Sequence, residues 1–240
     1  PSFHAKYAIH SNGKLRFSYA RAINRPSFFE IVPYSIINED YKEKGNPELK
    51  HTVADNIDLR YEFFPRSSEQ LMVGLFYKNI KDPIEYGLLN EGQDTYYKPM
   101  NFGTANNWGL EVDILKYFNW LGIKANYTYT YSKITTEKRV MQGSEVTTTT
   151  QSRPLFGQAA HVANISFLLK DSKHGWEGQL AMGYTGKRLS DISNWADNDI
   201  WEKGYTQLDA SIEKTLPRGF CLFLKASNLL NIPVLRYVHQ

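Results

Sequence analysis

Residues 121–132, with the sequence LGIKANYTYTYS, alternate strictly between two kinds of side chain. The odd positions are apolar or aromatic and end in Tyr127, Tyr129 and Tyr131, whereas the even positions are polar or glycine. Successive side chains of a β-strand point to opposite faces, so the segment predicts a strand with one apolar and one polar face. It exceeds the five or six residues typical of soluble strands and matches a tilted membrane strand of roughly nine to eleven. The pattern therefore favours an outer-membrane β-barrel.

The same alternation recurs along the chain and predicts roughly ten strands. They lie in residues 2–9, 15–20, 57–63, 71–77, 108–117, 121–132, 162–170, 176–187, 206–212 and 220–227. Short turns between them, such as the Asn12-Gly13 pair, alternate with long polar loops. The long loops are residues 23–50, 81–107, 135–154 and 188–203.

This alternation of connections places every long loop at one end of the strands. Outer-membrane barrels have tight periplasmic turns and long external loops, whereas a soluble β-sandwich has no reason to collect its long loops at one end. The sequence therefore predicts an all-β fold, an antiparallel transmembrane β-barrel segment.

Composition agrees with this interpretation. Aromatic residues make up 14% of the 240 residues, with 16 tyrosines and 13 phenylalanines, and membrane barrels use aromatic side chains in interfacial girdles. The chain has no apolar run of the roughly eighteen residues that a transmembrane helix needs. A formal net charge of +3 without a Lys/Arg cluster gives no support for a nucleic-acid partner.

The sequence contains few features that are typical of catalytic or metal-binding sites. Cys221 is the one cysteine, which excludes an intrachain disulfide. The histidines are scattered, without metal-ligand spacing. They are His4, His10, His51, His161, His174 and His239. Nucleotide-binding and hydrolase motifs are missing as well. We therefore expect no enzyme activity, no metal site and no cofactor.

Several short motifs follow one another along the chain. They are residues 20–28 (ARAINRPSF), 45–50 (GNPELK), 56–62 (NIDLRYE), 101–105 (NFGTA), 109–112 (GLEV) and 228–231 (NLLN). In order and spacing they resemble the later barrel strands of the TonB-dependent outer-membrane receptors. The resemblance spans nearly the whole chain and implies a barrel of about twenty-two strands in the bacterial outer membrane.

On this resemblance, residues 1–240 are expected to be the C-terminal portion of a receptor barrel. The plug domain and the final strand are expected to lie outside the chain, whose first ten residues do not read as a signal peptide. The resemblance implies TonB-driven uptake of a scarce solute, which is an oligosaccharide, a metal chelate or a vitamin. The implied partners are outer-membrane lipid, the receptor's own plug, TonB through the N-terminal region, and a surface substrate-binding lipoprotein.

The long loops hold the candidate ligand-binding residues, because selectivity usually resides in loops on a rigid scaffold. Aromatic faces and carboxylates that suit a sugar or a chelate come together in Trp195, Asp197, Asp199 and Trp201, with Asn198 between the acids. The same acids could hold Ca²⁺. Further candidates are Tyr34 and Tyr96, followed by Tyr41, Tyr86 and Tyr97. The alternative is that these side chains only pack the loops.

Tyr127, Tyr129 and Tyr131 are predicted to belong to a lipid-facing girdle. The opposite orientation would place Lys124 in lipid, at a cost of about 2–4 kcal/mol. Two other classes of protein stay open at this point. One is a complete ten-stranded barrel with a hydrolase site on its rim, for which His161 and Asp191 are the loose candidates. The other is a soluble β-sandwich binding module, against which the strand length argues.

Overall fold

A computed structural model describes residues 1–37, 42–91 and 94–238. Its strands, in chain order, are β1 (Ser2–His10), β2 (Gly13–Asn24), β3 (Ser35–Ile37), β4 (Lys42–Lys44), β5 (Thr52–Phe63), β6 (Gln70–Lys81), β7 (Ile84–Glu91), β8 (Asp94–Asn101), β9 (Thr104–Phe118), β10 (Leu121–Gln142), β11 (Glu145–Arg153), β12 (His161–Asp171), β13 (Trp176–Thr185), β14 (Arg188–Ser193), β15 (Ile200–Glu202), β16 (Tyr205–Thr215), β17 (Cys221–Ala226) and β18 (Arg236–Val238). The short helix α1 (Phe28–Ile31) and a 3₁₀ turn at Pro217–Gly219 complete the elements.

The eleven-stranded main sheet consists of β11, which pairs with β10, and of ten strands in the antiparallel order β1-β2-β5-β6-β9-β10-β12-β13-β16-β17. These strands correspond to the ten that the sequence predicts. The sheet is open within the described residues, because β1 and β17 each pair along one edge only. The predicted antiparallel barrel segment is confirmed, and a closed ten-stranded barrel does not form.

The register keeps apolar side chains on one face of the main sheet. One cross-strand row consists of Phe17, Leu59, Leu75, Leu110 and Tyr129. A second row continues across the later strands through Ala125, Ile165, Met182 and Leu208. This apolar face is open to the surroundings, with Leu75 55% and Met182 44% exposed. A β-sandwich would bury such a face between two sheets.

The opposite face of the main sheet is polar. Its rows include Lys14, Glu62, Met72, Asp113, Asn126 and Asn164. Lys124 lies on this face, because the neighbouring Ile123 and Ala125 belong to the apolar face. The two faces therefore separate as the alternation in the sequence predicts.

The long loops are more ordered than the sequence suggests, and this corrects the prediction of irregular connections. Most of their short strands form a second sheet in the order β18-β15-β14-β7-β8-β4-β3. Residues 135–154, predicted as a loop, mostly extend β10 to Gln142 and return as β11. We call β10 beyond Tyr131, together with β11, the β10–β11 hairpin.

The core lies where the second sheet covers the polar face at the loop end. On β10 the even residues from Thr130 to Lys138 are buried, whereas the odd residues from Tyr131 to Arg139 are exposed. The apolar members of this core include Ala105, Ile134, Leu189 and Ile192. The fold thus buries side chains above the polar face and leaves the apolar face uncovered.

Among the described residues, no helix combines the length and the apolar composition that crossing a membrane requires.

Candidate functional site

A buried ion pair joins the β10–β11 hairpin to the segment around β14 and β15. The Lys138 Nζ lies 2.5 Å from Asp199 Oδ1, which also accepts a hydrogen bond of 2.8 Å from the Ser193 backbone N–H. Lys138 also donates to the Ser193 carbonyl oxygen. The side chains of Lys138 and Asp199 are only 1% and 8% exposed. Asp199 is thus buried directly before β15 of the second sheet, and its carboxylate accepts hydrogen bonds from Lys138 and Ser193.

A second buried ion pair lies on the other strand of the hairpin. Arg153 donates a 2.7 Å hydrogen bond to Glu85 Oε2, and the Phe156 backbone N–H donates one of 2.8 Å to Glu85 Oε1. The Arg153 guanidinium also lies over the Phe102 ring, 5.2 Å from its centroid. Because a buried charge is costly without its partner, both pairs fix the hairpin on the second sheet. We call Lys138–Asp199 and Arg153–Glu85 the loop clamp.

The remaining residues of the predicted Trp/Asp cluster have different environments. Asp197 is exposed in a turn with φ = 56°, and its Oδ1 accepts a 2.7 Å hydrogen bond from Gln151. Trp195 is half-buried, with its backbone N–H bonded to Ser193 Oγ at 3.1 Å. Trp201 is half-buried on β15, with Lys187 Nζ 5.4 Å from its ring centroid. Of these three side chains only Asp197 is exposed, as is Asn198 beside it.

The candidate tyrosines lie around α1, β4, β7 and β8. Tyr34 is half-buried, and Tyr96 is 8% exposed with Lys44 Nζ 3.8 Å from its ring centroid. The Tyr97 hydroxyl donates a 2.7 Å hydrogen bond to Asp191 Oδ1. Tyr41 lies outside the described residues. The four described candidates, which are Tyr34, Tyr86, Tyr96 and Tyr97, therefore lie in or next to the second sheet.

Tyr86 lies near two carboxylates. Its burial first, and then the negative charges of Glu43 and Glu30, raise the pKa of Tyr86 to about 12. Tyr34 adds to the same effect. The carboxylates of Glu30 and Glu43 are absent from the sequence-based candidates, because nothing in the local pattern links them to a tyrosine 56 and 43 residues further along the chain.

The three predicted girdle tyrosines lie on the apolar face at the loop end. Trp108 contacts both Tyr131 and Tyr129, with ring centroids 5.5 and 5.9 Å apart. The Tyr127 hydroxyl lies 2.8 Å from His161 Nδ1. The sequence did not single out Trp108 or place His161 here, although its alternation puts Trp108 on the apolar side of a strand. A girdle role for these tyrosines stays a prediction.

His161 and Asp191, the candidates for a rim hydrolase, lie in separate surroundings. His161 pairs with Tyr127 on the apolar face, whereas Asp191 belongs to β14 and accepts hydrogen bonds from Tyr97 and Ser190. The structure does not bring the two into a common site.

No cluster of three or more His, Cys, Asp or Glu side chains suited to a metal ion occurs in the part of the chain that the structure describes.

Comparison with solved structures identifies the fold. The siderophore receptor PirA from Pseudomonas aeruginosa is 16% identical, with a TM-score of 0.65 over 97% of this chain and 39% of that chain. A variant of the ferric enterobactin receptor PfeA from the same organism is 16% identical, with a TM-score of 0.64 over 96% and 34%. The copper transporter OprC is 13% identical, with a TM-score of 0.71 over 99% and 34%. The chain spans between a third and two fifths of the length of these proteins.

A family model described as TonB dependent receptor-like, beta-barrel, matches residues 1–229. No curated protein matches the chain. The chain belongs to the TonB-dependent receptor β-barrel family, which confirms the resemblance seen in its motifs. Members of this family lie in the bacterial outer membrane, and the chain is placed there with them.

Proposed function

We propose that this chain forms part of the wall of an outer-membrane receptor that imports a scarce solute in a TonB-driven cycle. The separation of the main sheet into an apolar face and a polar face supports this proposal most directly. Over most of the sheet each face keeps one character, with Leu75 and Met182 exposed on the apolar side and Asp113 and Asn126 on the polar side. Hydrocarbon outside and water inside require this separation in a membrane barrel.

The girdle tyrosines fit the same arrangement. Tyr127, Tyr129 and Tyr131 lie at the loop end of the apolar face, where a ring can rest at the lipid head groups with its hydroxyl toward water. We propose outer-membrane lipid as the partner of this face. The polar face would then look toward the receptor's own plug, and TonB would act through the N-terminal region. A surface substrate-binding lipoprotein would dock at the loop end.

The loops at the loop end of the main sheet are proposed to select the solute. Asp197 offers an exposed carboxylate, and Trp195 and Trp201 offer partly exposed rings on the same segment. Tyr34 supplies a further half-buried ring. Tyr96 is 8% exposed and Asp199 is held by Lys138, so both act by supporting the loops. Such a set suits a metal chelate, an oligosaccharide or a vitamin. The similar proteins named for siderophores and copper make a metal chelate the first class to test.

An uptake assay tests the proposal. Cells with the intact receptor gene and a matched deletion strain would receive radiolabelled ferric chelates, cobalamin or oligosaccharides, each with and without a protonophore. We expect one class to enter only the strain with the receptor, and the protonophore to abolish that uptake. Equal uptake of every class by both strains, or receptor-dependent uptake that persists without the proton gradient, would contradict the proposal.

A further inference from the structure

The strands of the second sheet come from separate connections of the main sheet. β3 and β4 belong to residues 23–50, β7 and β8 to residues 81–107, and β14 and β15 to residues 188–203. Strands of one connection pair antiparallel, whereas β4 pairs with β8, and β14 with β7, in parallel. The parallel pairs arise because β7 and β14 each follow a strand that rises to the loop end, and β4 and β8 each precede one that descends. Both parallel borders therefore join one connection to another.

The core of this region is shared between the connections. We call the second sheet, together with the β10–β11 hairpin, the loop layer. The largest fully buried side chains in the described part of the chain are Ile134 of the hairpin, Leu189 and Ile192 of β14, and Pro99 of β8. A hairpin alone in water is only marginally stable, and segments that share their buried contacts tend to unfold together. Each connection therefore depends on the others for its order.

Polar groups cross the same borders. The Tyr97 hydroxyl on β8 donates a 2.7 Å hydrogen bond to Asp191 Oδ1 on β14. Asn46 Nδ2, which follows β4, donates one of 2.9 Å to the Pro99 carbonyl oxygen on β8. The loop clamp ties the hairpin to β7 and to the segment before β15. Opening one connection alone would leave donors and acceptors on its neighbours without partners, which is strongly destabilising where these groups are buried.

We infer that the described parts of the four long connections open and close as one body, through a single cooperative transition of the loop layer. The parallel borders and the shared core carry an opening at β14 to β4, three strands away in the sheet. One consequence rests on the proposed function. A solute that contacts one connection then holds all four closed, because coupling between two sites is reciprocal.

Hydrogen exchange, measured by mass spectrometry on the intact, solute-free receptor in lipid vesicles, tests the inference. The test variant is Ile192→Ala, which removes a buried side chain from β14. The matched control is Ile37→Ala, the same change at a side chain of β3 that is 76% exposed. Exchange in the main-sheet strands β6 and β9 should keep the wild-type rates in both variants, which shows that the barrel wall is folded.

The reporters are two backbone amides that follow β4. Gly45 N–H donates to the Tyr34 carbonyl oxygen at 3.2 Å, and Asn46 N–H donates to the Glu30 carbonyl oxygen at 2.6 Å. In the test variant we expect both amides to exchange roughly thirtyfold faster, the lower end of the effect of truncating a buried isoleucine. The amides of β7 and β14 should speed up by the same factor. The control should change the reporter rates less than twofold.

A disulfide across the border between β7 and β14 tests the inference in the opposite direction. Leu88→Cys with Ser193→Cys joins two paired residues, in a background with Cys221→Ser. We expect the reporter amides to exchange at least fivefold more slowly in the oxidised form than in the same protein reduced, because the cross-link restricts the open state. Faster exchange confined to β7, β14 and β15 in Ile192→Ala, or reporter rates that oxidation leaves unchanged, would overturn the inference. The receptor is free of solute throughout, so these outcomes are independent of the uptake assay.

Discussion

Lys138 and Asp199 are 61 residues apart in sequence, yet their charged atoms lie 2.5 Å apart in a site closed to solvent. Together with Arg153 and Glu85, this pair holds the β10–β11 hairpin on the second sheet. The loop end is therefore a second layer with its own core, which contains two buried ion pairs as well as apolar side chains.

Removing one partner of the loop clamp should loosen this layer. Asp199→Asn leaves the Lys138 charge buried without its counter-ion, a loss of about 3–5 kcal/mol for a buried pair. We expect amide hydrogen exchange to speed up sharply in β14 and β15. The matched control is Asp197→Asn, since Asp197 belongs to the same segment but is exposed. Equal exchange in the two variants would show that the clamp does not stabilise the layer.

The two faces of β13 should respond differently to an added charge. Leu180→Lys places an ammonium group on the apolar face between Phe167 and Ala210, and we expect a loss of about 2–4 kcal/mol in unfolding free energy. Gln179→Lys, one residue away on the polar face, should change it by less than about 0.5 kcal/mol. Urea titrations of the intact receptor in lipid vesicles measure both, and equal losses would contradict the assignment of the faces.

The hydroxyl of Tyr86 should lose its proton at a higher pH than an ordinary tyrosine does. Burial and the nearby carboxylates raise its pKa to about 12, whereas the unfolded chain loses the same proton near the ordinary value of 10.0. The resulting stabilisation is complete below pH 10 and disappears as the pH rises through about 12. The difference in tyrosinate absorbance between wild type and Tyr86→Phe should therefore have its midpoint near 12. Glu43→Gln should lower that midpoint but keep it above 10, because burial is the larger cause.

Solute uptake should depend on the rings of the loop segment. We expect Trp195→Ala and Trp201→Ala each to raise the half-saturating solute concentration roughly tenfold, the effect of losing an aromatic anchor. Trp120→Ala is the control, since Trp120 lies in the turn at the other end of the main sheet. Radiolabelled uptake at several solute concentrations separates binding from maximal rate. An unchanged half-saturating solute concentration in both loop variants would show that these rings do not contact the solute.

The main sheet could be predicted from sequence because each of its strands carries its own two-residue alternation. The second sheet could not, since four of its strands have only three residues and others pair with distant parallel neighbours, as Ile192 does with Gly87. The same limit applies to the candidate site. From the sequence alone, Asp199 is expected to be an exposed acid in a polar loop. Only the structure shows that its carboxylate is bound to Lys138.

A nitroxide scan along β10 tests the central claim most directly. Single labels at positions 123 to 128 of a cysteine-free receptor, with Cys221→Ser in the background, would be measured in lipid vesicles. Oxygen concentrates in hydrocarbon, and a hydrophilic nickel chelate stays in water. We predict high oxygen access at positions 123, 125 and 127 and high nickel access at 124, 126 and 128. The same access at odd and even positions, or the reverse order, would contradict the proposal that the apolar face of this sheet meets the membrane.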